Sequence, residues 1–498
     1  MRINILFGGK AGLGPNVLTN ILGKALVKRG YYVFYSRDYQ SLIRGGHNFN
    51  VLTFSDKPIY SNDSEIDILV ALDENTQKIH KKELKKNVII LKGHDENMYY
   101  AGELFKLLGL DFKTLEEELK ELEERFDENM KEADKGYKDA KKSIEIQKID
   151  RKEQFFFMNG NEGISLGSIK AGLDVYYAYP MTPATPVLGE LAEKQIKNNI
   201  LVLELENEIS VINAAIGSAI TGAKTMVGTS GGGFDLMTES LSLTGMAEIP
   251  LVVYLAQRPG PATGVATYTG QGDLNIARHG GHGEFSRIVL SPGDPKEAQE
   301  LISQAFYFSH MFKIPSIVIS EKHLGESLYT LSEKPVITKS KKTTSMGRYN
   351  SYEKDAEGCA TENAKIINKN VEKRMKKMKE IEKEAEKFTQ YKTYGNKNSK
   401  DIIISWGSTK GVILDSIQNL DCKFIQILYI EPFPKILKEE LKDKNVILIE
   451  NNATGLLADL IAEKTGIFIE EKNKILRYDG RPFLCDELKK EIGGKLRK

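Results

Sequence analysis

Apolar residues in this chain come in two rhythms, short solid runs and longer stretches with helical spacing. Residues 2–8 are an apolar run that predicts a strand, followed by Gly8-Gly9-Lys10-Ala11-Gly12-Leu13-Gly14. From Pro15, the residues Val17, Leu18, Ile21, Leu22, Ala25 and Leu26 recur at helical spacing and predict a helix with proline in its first turn. Further strands are predicted at Tyr32–Ser36, Asn50–Phe54, Ile66–Leu72 and Val88–Leu91. Strand, helix and strand in succession argue for a parallel α/β sheet. From about Asp111 to Asp150 the chain turns charged and helical, which closes a first domain near residue 150.

The pattern restarts at Phe155-Phe156-Phe157-Met158. Strands are predicted at Val175–Tyr179, Ile200–Glu204, Lys224–Thr229, Leu251–Ala256 and Ser316–Ser320, with helices such as Glu208–Ala219 and Pro295–Met311 between them. Residues 331–399 are mostly polar and read as a linker with one solvated helix, Val371–Phe388. Strands at Asp401–Trp406, Lys423–Ile430 and Asn445–Glu450 then form a third α/β unit. The fold class is α/β, with expected domains at 1–150, 151–330 and 400–498 and the linker at 331–399.

At 498 residues, several cores are expected, since single cores stop growing near about 250–300 residues. Lys+Arg 70 against Asp+Glu 69 gives no charge argument for nucleic acid or an anionic membrane. No apolar run reaches the ~20 residues of a membrane span. Three scattered cysteines exclude a disulfide framework, a Cys-rich zinc site and a self-contained iron–sulfur cluster. A strand-like start leaves no room for a signal peptide, so a reducing cytoplasm is expected.

Several segments carry candidate chemistry. Gly9, Gly12 and Gly14 follow G-x-x-G-x-G rather than the dinucleotide spacing, and Tyr35-Ser36-Arg37 stands where an acidic residue would be needed. An anion-contacting turn and a purely structural one fit this segment equally. In Ser41-Leu42-Ile43-Arg44-Gly45-Gly46-His47, Arg44 is suited to a phosphate or an acidic partner, or to a plain surface role. Tyr179-Pro180-Met181-Thr182-Pro183 leaves a strand between two prolines that each fix φ, which holds the Thr182 hydroxyl at a carboxyl edge. Glu204, Glu206 and Glu208 alternate along the next strand exit, and Glu208 opens an apolar helix. Crowding and burial of such carboxyls would raise a pKa, as proton transfer requires. In Thr229-Ser230-Gly231-Gly232-Gly233 the glycines permit close backbone approach to a ligand. Arg258, after another strand, has the fork geometry to take a carboxylate. His279-Gly280-Gly281-His282 has metal-like spacing, but the flexible glycines favour ordinary loop histidines.

In this order and spacing the motifs resemble the 2-oxoacid:ferredoxin oxidoreductases, in particular their fused gamma–alpha subunit of the 2-oxoglutarate type. Residues 1–150 resemble the gamma domain. Residues 156–330 resemble the pyrimidine-binding domain of thiamine diphosphate enzymes through Gly160-Asn161-Glu162, Tyr179–Pro183, Glu208 and Gln257-Arg258. The C-terminal unit resembles the transketolase C-terminal-like domain through Trp406–Lys410, Glu431–Pro434, Glu450–Gly455 and Tyr478–Phe483.

The resemblance implies a catalytic and cofactor role for Glu208, beside the aminopyrimidine ring. It implies further cofactor contacts at Tyr179, Pro180, Ser230 and Gly231, and a substrate carboxylate held by Thr182 and Arg258. It implies CoA-dependent oxidative decarboxylation of a 2-oxoacid with ferredoxin as electron acceptor and coenzyme A as co-substrate. No Gly-Asp-Gly occurs in the chain. The diphosphate site, Mg²⁺ and a [4Fe–4S] cluster are therefore expected on a separate beta subunit, with no metal on this chain. The family usually has proline where Gly232 stands, and often glutamate within Thr269–Asp273. These departures bear on the choice among 2-oxoglutarate, pyruvate, branched-chain and aryl 2-oxoacids. A non-catalytic assembly or docking subunit is the reading of another class.

Overall fold

The computed structural model describes residues 1–40, 46–122, 125–343 and 348–496. The chain forms two compact units: Met1–Met158 with Ser327–Glu333 and Leu484–Lys490, and Asn159–Glu326 with Lys334–Phe483 and the residues from Glu491 onward.

The first unit is built on a seven-stranded sheet in the order Leu84–Leu91, Ile66–Ala71, Arg2–Lys10, His47–Ser55, Tyr32–Asp38, Leu328–Leu331 and Phe156–Met158. The first three strands are parallel to one another. Tyr32–Asp38 and His47–Ser55 instead pair antiparallel, Tyr32 opposite Ser55, and His47–Ser55 pairs antiparallel with Arg2–Lys10. The parallel sheet expected here is thus mixed. Residues 39–46 are too few for the crossover of a dozen or more residues that parallel neighbours need. Phe156–Met158, read from sequence as the start of the second unit, pairs with Leu328–Leu331 at the edge of this sheet. The helix Pro15–Lys28 buries Leu18, Ile21, Leu22, Ala25 and Leu26, the apolar stripe its spacing predicts.

The second unit carries another seven-stranded sheet, ordered Tyr429–Glu431, Ile288–Leu290, Pro315–Glu321, Leu251–Gln257, Thr225–Thr229, Val175–Ala178 and Leu201–Glu204. All neighbours are parallel except Tyr429–Glu431. Leu251–Gln257 and Pro315–Glu321 are buried at every position, as parallel strands covered on both faces must be. On one face Tyr177, Val227, Val253 and Leu255 pack with Val211, Ile212, Phe234 and Met237 from the helices Glu208–Ile220 and Gly231–Ala247. On the other, Tyr176, Met226, Val252 and Tyr254 pack with Ile164, Ala298 and Ile302 from Gly160–Ala171 and Pro295–Phe312.

A five-stranded sheet of Tyr391–Gly395, Lys423–Ile427, Asp401–Trp406, Asn445–Glu450 and Lys474–Leu476 belongs to the same unit. Buried Glu297 ties it to the larger sheet's helices. Its carboxylate accepts from Lys410 at 2.6 Å, Lys392 at 2.8 Å and Gln426 at 2.6 Å. Burial alone would raise the Glu297 pKa, but the two ammonium groups hold it down at about 2. Such a network is costly to break by removing one partner. The helix expected at Val371–Phe388 runs from Ala364 to Ala385, and it is not wholly solvated. Ile381 and Ala385 enter the core beside Phe388.

Because the strands of the larger sheet run parallel, their carboxyl ends gather at one edge. Tyr179–Pro183, Glu206–Glu208, Thr229–Gly233, Gln257–Asp273 and Glu321 all leave the sheet there. Ligands of open α/β sheets bind at such an edge.

Candidate active site

Asn207 caps the helix Glu208–Ile220, its side chain accepting the Ser210 backbone N–H at 2.9 Å. That cap fixes Glu208 as the first helical residue. Glu208 is 4% exposed, and its Oε1 has no hydrogen-bond partner. Glu204 and Glu206 turn to solvent instead, so the crowding of three carboxyls expected from the sequence does not form. One buried carboxyl remains, with an oxygen that makes no hydrogen bond.

That oxygen lies against a glycine. A Cβ at Gly233 would stand 2.7 Å from Glu208 Oε1 and 2.2 Å from Thr229 Oγ1. The glycines form the first turn of the helix Gly231–Ala247, with Ser230 at its N-cap. Ser230 Oγ is buried and unpartnered. At Gly231 a Cβ would come within 2.5 Å of Asp273 Oδ2, a third buried oxygen without a partner. Gly232 between them faces open space. The two outer glycines thus each make room for a carboxyl.

Arg258 leaves the strand Leu251–Gln257, and its Nη1 donates to the Thr182 carbonyl oxygen at 2.9 Å. This contact brings together two residues 76 positions apart in sequence. Behind the Thr182-Pro183 turn, buried Asn161 donates to the Pro183 carbonyl at 3.2 Å and accepts from Tyr254 at 2.7 Å. The Asn161 of Gly160-Asn161-Glu162 is therefore a brace, and Glu162 completes a capping box with Asn159. Tyr179 and Pro180 are exposed at the edge.

The sequence motifs Gln257-Arg258 and Thr269–Asp273 gave Gln257, Gln271 and Asp273 no role of their own, and Glu321 was not singled out at all. Burial, then Asp235, push the Asp273 carboxyl up to about 6, against the pull of the Arg258 guanidinium. Burial in turn lowers Arg258. Gln257 accepts the Asp273 backbone N–H at 2.9 Å. Gln271 donates to the Trp406 carbonyl at 3.0 Å and accepts the Asn451 N–H at 2.8 Å, which pins the site loop to the smaller sheet. Fully buried Glu321 is pushed up to about 7 by burial, while it accepts from the Ser408 N–H. A polar residue opening an apolar helix, as in Gly272-Asp273-Leu274, was the signal available for Asp273.

In the first unit, the Gly8–Gly14 segment behaves differently. The carboxylate of Asp73 accepts from the backbone N–H groups of Lys10, Asn75 and Thr76 and from the Thr76 hydroxyl. Only the Lys10 N–H among these donors belongs to the Gly8–Gly14 segment, so the anion-contacting and the structural readings both still fit it. Arg44 lies outside the described residues. His279 ends a short helix. Among the described residues, no group of three or more His, Cys, Asp or Glu is placed to hold a metal ion. Nor is any helix there long and apolar enough to cross a membrane.

Residues 166–399 match the family described as pyruvate flavodoxin/ferredoxin oxidoreductase, thiamine diphosphate-binding, and residues 4–96 match the pyruvate ferredoxin/flavodoxin oxidoreductase family. A 2-oxoacid:ferredoxin oxidoreductase subunit alpha from Sulfolobus sp is 30% identical, over 99% of this chain and 96% of that one. The chain belongs to the alpha subunits of the 2-oxoacid:ferredoxin oxidoreductases. This alpha subunit is also 28% identical to the 2-oxoglutarate synthase subunit KorA of Methanocaldococcus jannaschii, over 59% of this chain and 88% of that one. Its fold is that of 2-oxoglutarate:ferredoxin oxidoreductase from Magnetococcus marinus, with a TM-score of 0.87 and 24% identity over 99% of both chains. It is thus a subunit of an oxidoreductase, and the matched family binds thiamine diphosphate.

Proposed function

We propose that this alpha subunit acts on 2-oxoglutarate. The reaction is 2-oxoacid carboxylate plus coenzyme A thiol plus two oxidised ferredoxins, giving acyl-CoA, CO₂, two singly reduced ferredoxins and one proton. The observation that carries the cofactor and 2-oxoacid reading is the group of buried, unpartnered oxygens around one helix start, with the Arg258–Thr182 pair on the same sheet edge.

Those oxygens suit one wall of a thiamine diphosphate site. Glu208 Oε1 and Ser230 Oγ are orphaned polar atoms that a polar heterocycle would satisfy. Thiamine diphosphate, when bound, supplies the carbon nucleophile that adds to the keto group. Glu208 would accept a hydrogen bond from the aminopyrimidine and move a proton at its ring nitrogen. Tyr179, Pro180 and Gly231 would line the ring. Arg258 would hold the 2-oxoacid carboxylate in a fork while the Thr182 hydroxyl orients the keto oxygen.

The diphosphate is assigned to a partner beta subunit that brings Mg²⁺ and a [4Fe–4S] cluster, since this chain has no Gly-Asp-Gly and only three scattered cysteines. Exposed Tyr179, Leu203, Ile209 and Leu236 near this edge suit burial against such a partner. The first unit fits the gamma role, and domain limits near 150, 330 and 400 are retained as part of this reading. The names of the KorA relative and of the Magnetococcus enzyme support 2-oxoglutarate. The test is turnover of the assembled enzyme with coenzyme A and ferredoxin across a panel of 2-oxoacids. The highest kcat/KM should fall on 2-oxoglutarate. A preference for pyruvate or a branched-chain 2-oxoacid would contradict that assignment.

A further inference from the structure

One buried carboxyl of the site has no part in the mechanism above. Asp273 stands at the start of the helix Leu274–His279, held in place by its own backbone N–H bond to Gln257 Oε1. Gln257 is itself anchored, donating to the Ser320 carbonyl at 3.2 Å. The carboxyl is pressed against the backbone of Gly231, where any side chain would displace it. Its Oδ2 is buried and unpartnered. The charged groups that face it are Arg258 from the strand exit and Asp235 from the glycine helix, with Glu208 two residues along at Gly233.

Arg258 and Asp273 attract one another, yet the Arg258 Nη1 hydrogen bond goes to the Thr182 carbonyl. The guanidinium is therefore positioned by a neutral oxygen and balanced by an anion that does not clasp it. We propose that Asp273 is the counter-ion of Arg258 before substrate binds, and yields that place to the 2-oxoacid carboxylate by taking up a proton from solvent. This makes Asp273 a positioning residue that acts through Arg258, and it rests on the substrate role proposed for Arg258.

The physical case is one of crowded like charges. A substrate carboxylate on Arg258 cancels the attraction that keeps Asp273 ionised. It also adds a negative charge beside buried Asp273, which already has exposed Asp235 and buried Glu208 as neighbours. Two carboxylates sharing a small site cannot both ionise freely, and the protein group that is already least favoured takes the proton. Asp273 is poised for this, since burial and Asp235 have already brought it to about 6. Binding that takes up a proton strengthens as pH falls, and it weakens as pH rises above the free-site value.

The test compares KM and kcat for the 2-oxoacid across pH in the assembled enzyme and in Asp273→Asn, which mimics the protonated carboxyl. Wild-type KM should rise about tenfold from about pH 6.5 to about pH 8, with kcat changing less than roughly threefold. In Asp273→Asn that KM slope should be flat. The same slope in both enzymes overturns the proposal, and thermal melting of the variant checks that it folds. Arg258→Lys separates the two claims. A 2-oxoacid KM unchanged in that variant removes the reading of Arg258 and takes this proposal with it.

Discussion

The molecule holds two glycine-rich segments that each lie where a strand gives way to a helix, Gly8–Gly14 in the first unit and Gly231–Gly233 in the second. At the first, the Asp73 carboxylate accepts four hydrogen bonds, one from the segment's own Lys10 N–H and three from Asn75 and Thr76. At the second, Glu208 Oε1, Ser230 Oγ and Asp273 Oδ2 are buried without partners. Glycine content alone therefore does not mark a ligand site. What differs is the kind of atom left over, three buried oxygens at the second segment against the single imidazole Nδ1 of His47 beside Gly8 at the first, and an unsatisfied buried oxygen costs roughly 1–3 kcal/mol unless a ligand meets it.

The sharpest way to break the comparison is to remove the orphaned oxygen at Glu208. Glu208→Gln should leave folding and assembly intact and lower kcat by about 10²–10⁴-fold, the range for a positioned proton-transferring group. Steady-state turnover alongside thermal melting checks both halves. Gly233→Ala should come next. Its Cβ would collide with Thr229 Oγ1 and the Glu208 carboxyl, so kcat should fall about tenfold or more, with roughly 1–3 kcal/mol of stability lost to overpacking. Denaturant unfolding and turnover read these together.

At the other segment, Asp73→Asn should cost about 1–2 kcal/mol in denaturant unfolding through weaker backbone bonds, with kcat unchanged. The wild-type contribution has a definite pH sense. Four donors hold the Asp73 carboxyl below its ordinary range even though burial pushes the other way. Its stabilisation is therefore present above the usual aspartate range and fades as pH drops through the lowered value. The smallest effect is expected at Gly232, which faces open space. Gly232→Ala should change turnover by less than about twofold and raise stability by roughly 0.5–1 kcal/mol, because alanine suits a helix better than glycine.

Much of this site was legible in sequence, because its parts lie at strand ends that apolar runs mark plainly. Thr182, Glu208 and Arg258 were each picked out by a proline bracket, a helix opening and a strand exit. The Arg258–Thr182 bond shows two of them converging. The glycines were legible as backbone clearance but not as helix, since the first turn of a helix carries no periodicity of its own. The roles of Asp273 and Gln271 were not legible for another reason. Their meaning lies in partners that are remote in sequence, such as Gly231 for Asp273 and Asn451 for Gln271. The placement of Phe156–Met158 beside Leu328–Leu331 is equally non-local, so a three-residue strand gave no sign of which sheet it would join.

The central claim is that the carboxyl edge of the second unit is half of a thiamine diphosphate site. Anaerobic native purification from the source cells, with identification of the companion chain and bound cofactor, tests it most directly. The account predicts a cysteine-rich companion bearing Gly-Asp-Gly, thiamine diphosphate and iron in the complex, and no turnover from this chain alone. A chain that purifies by itself and turns over a 2-oxoacid unaided would contradict it.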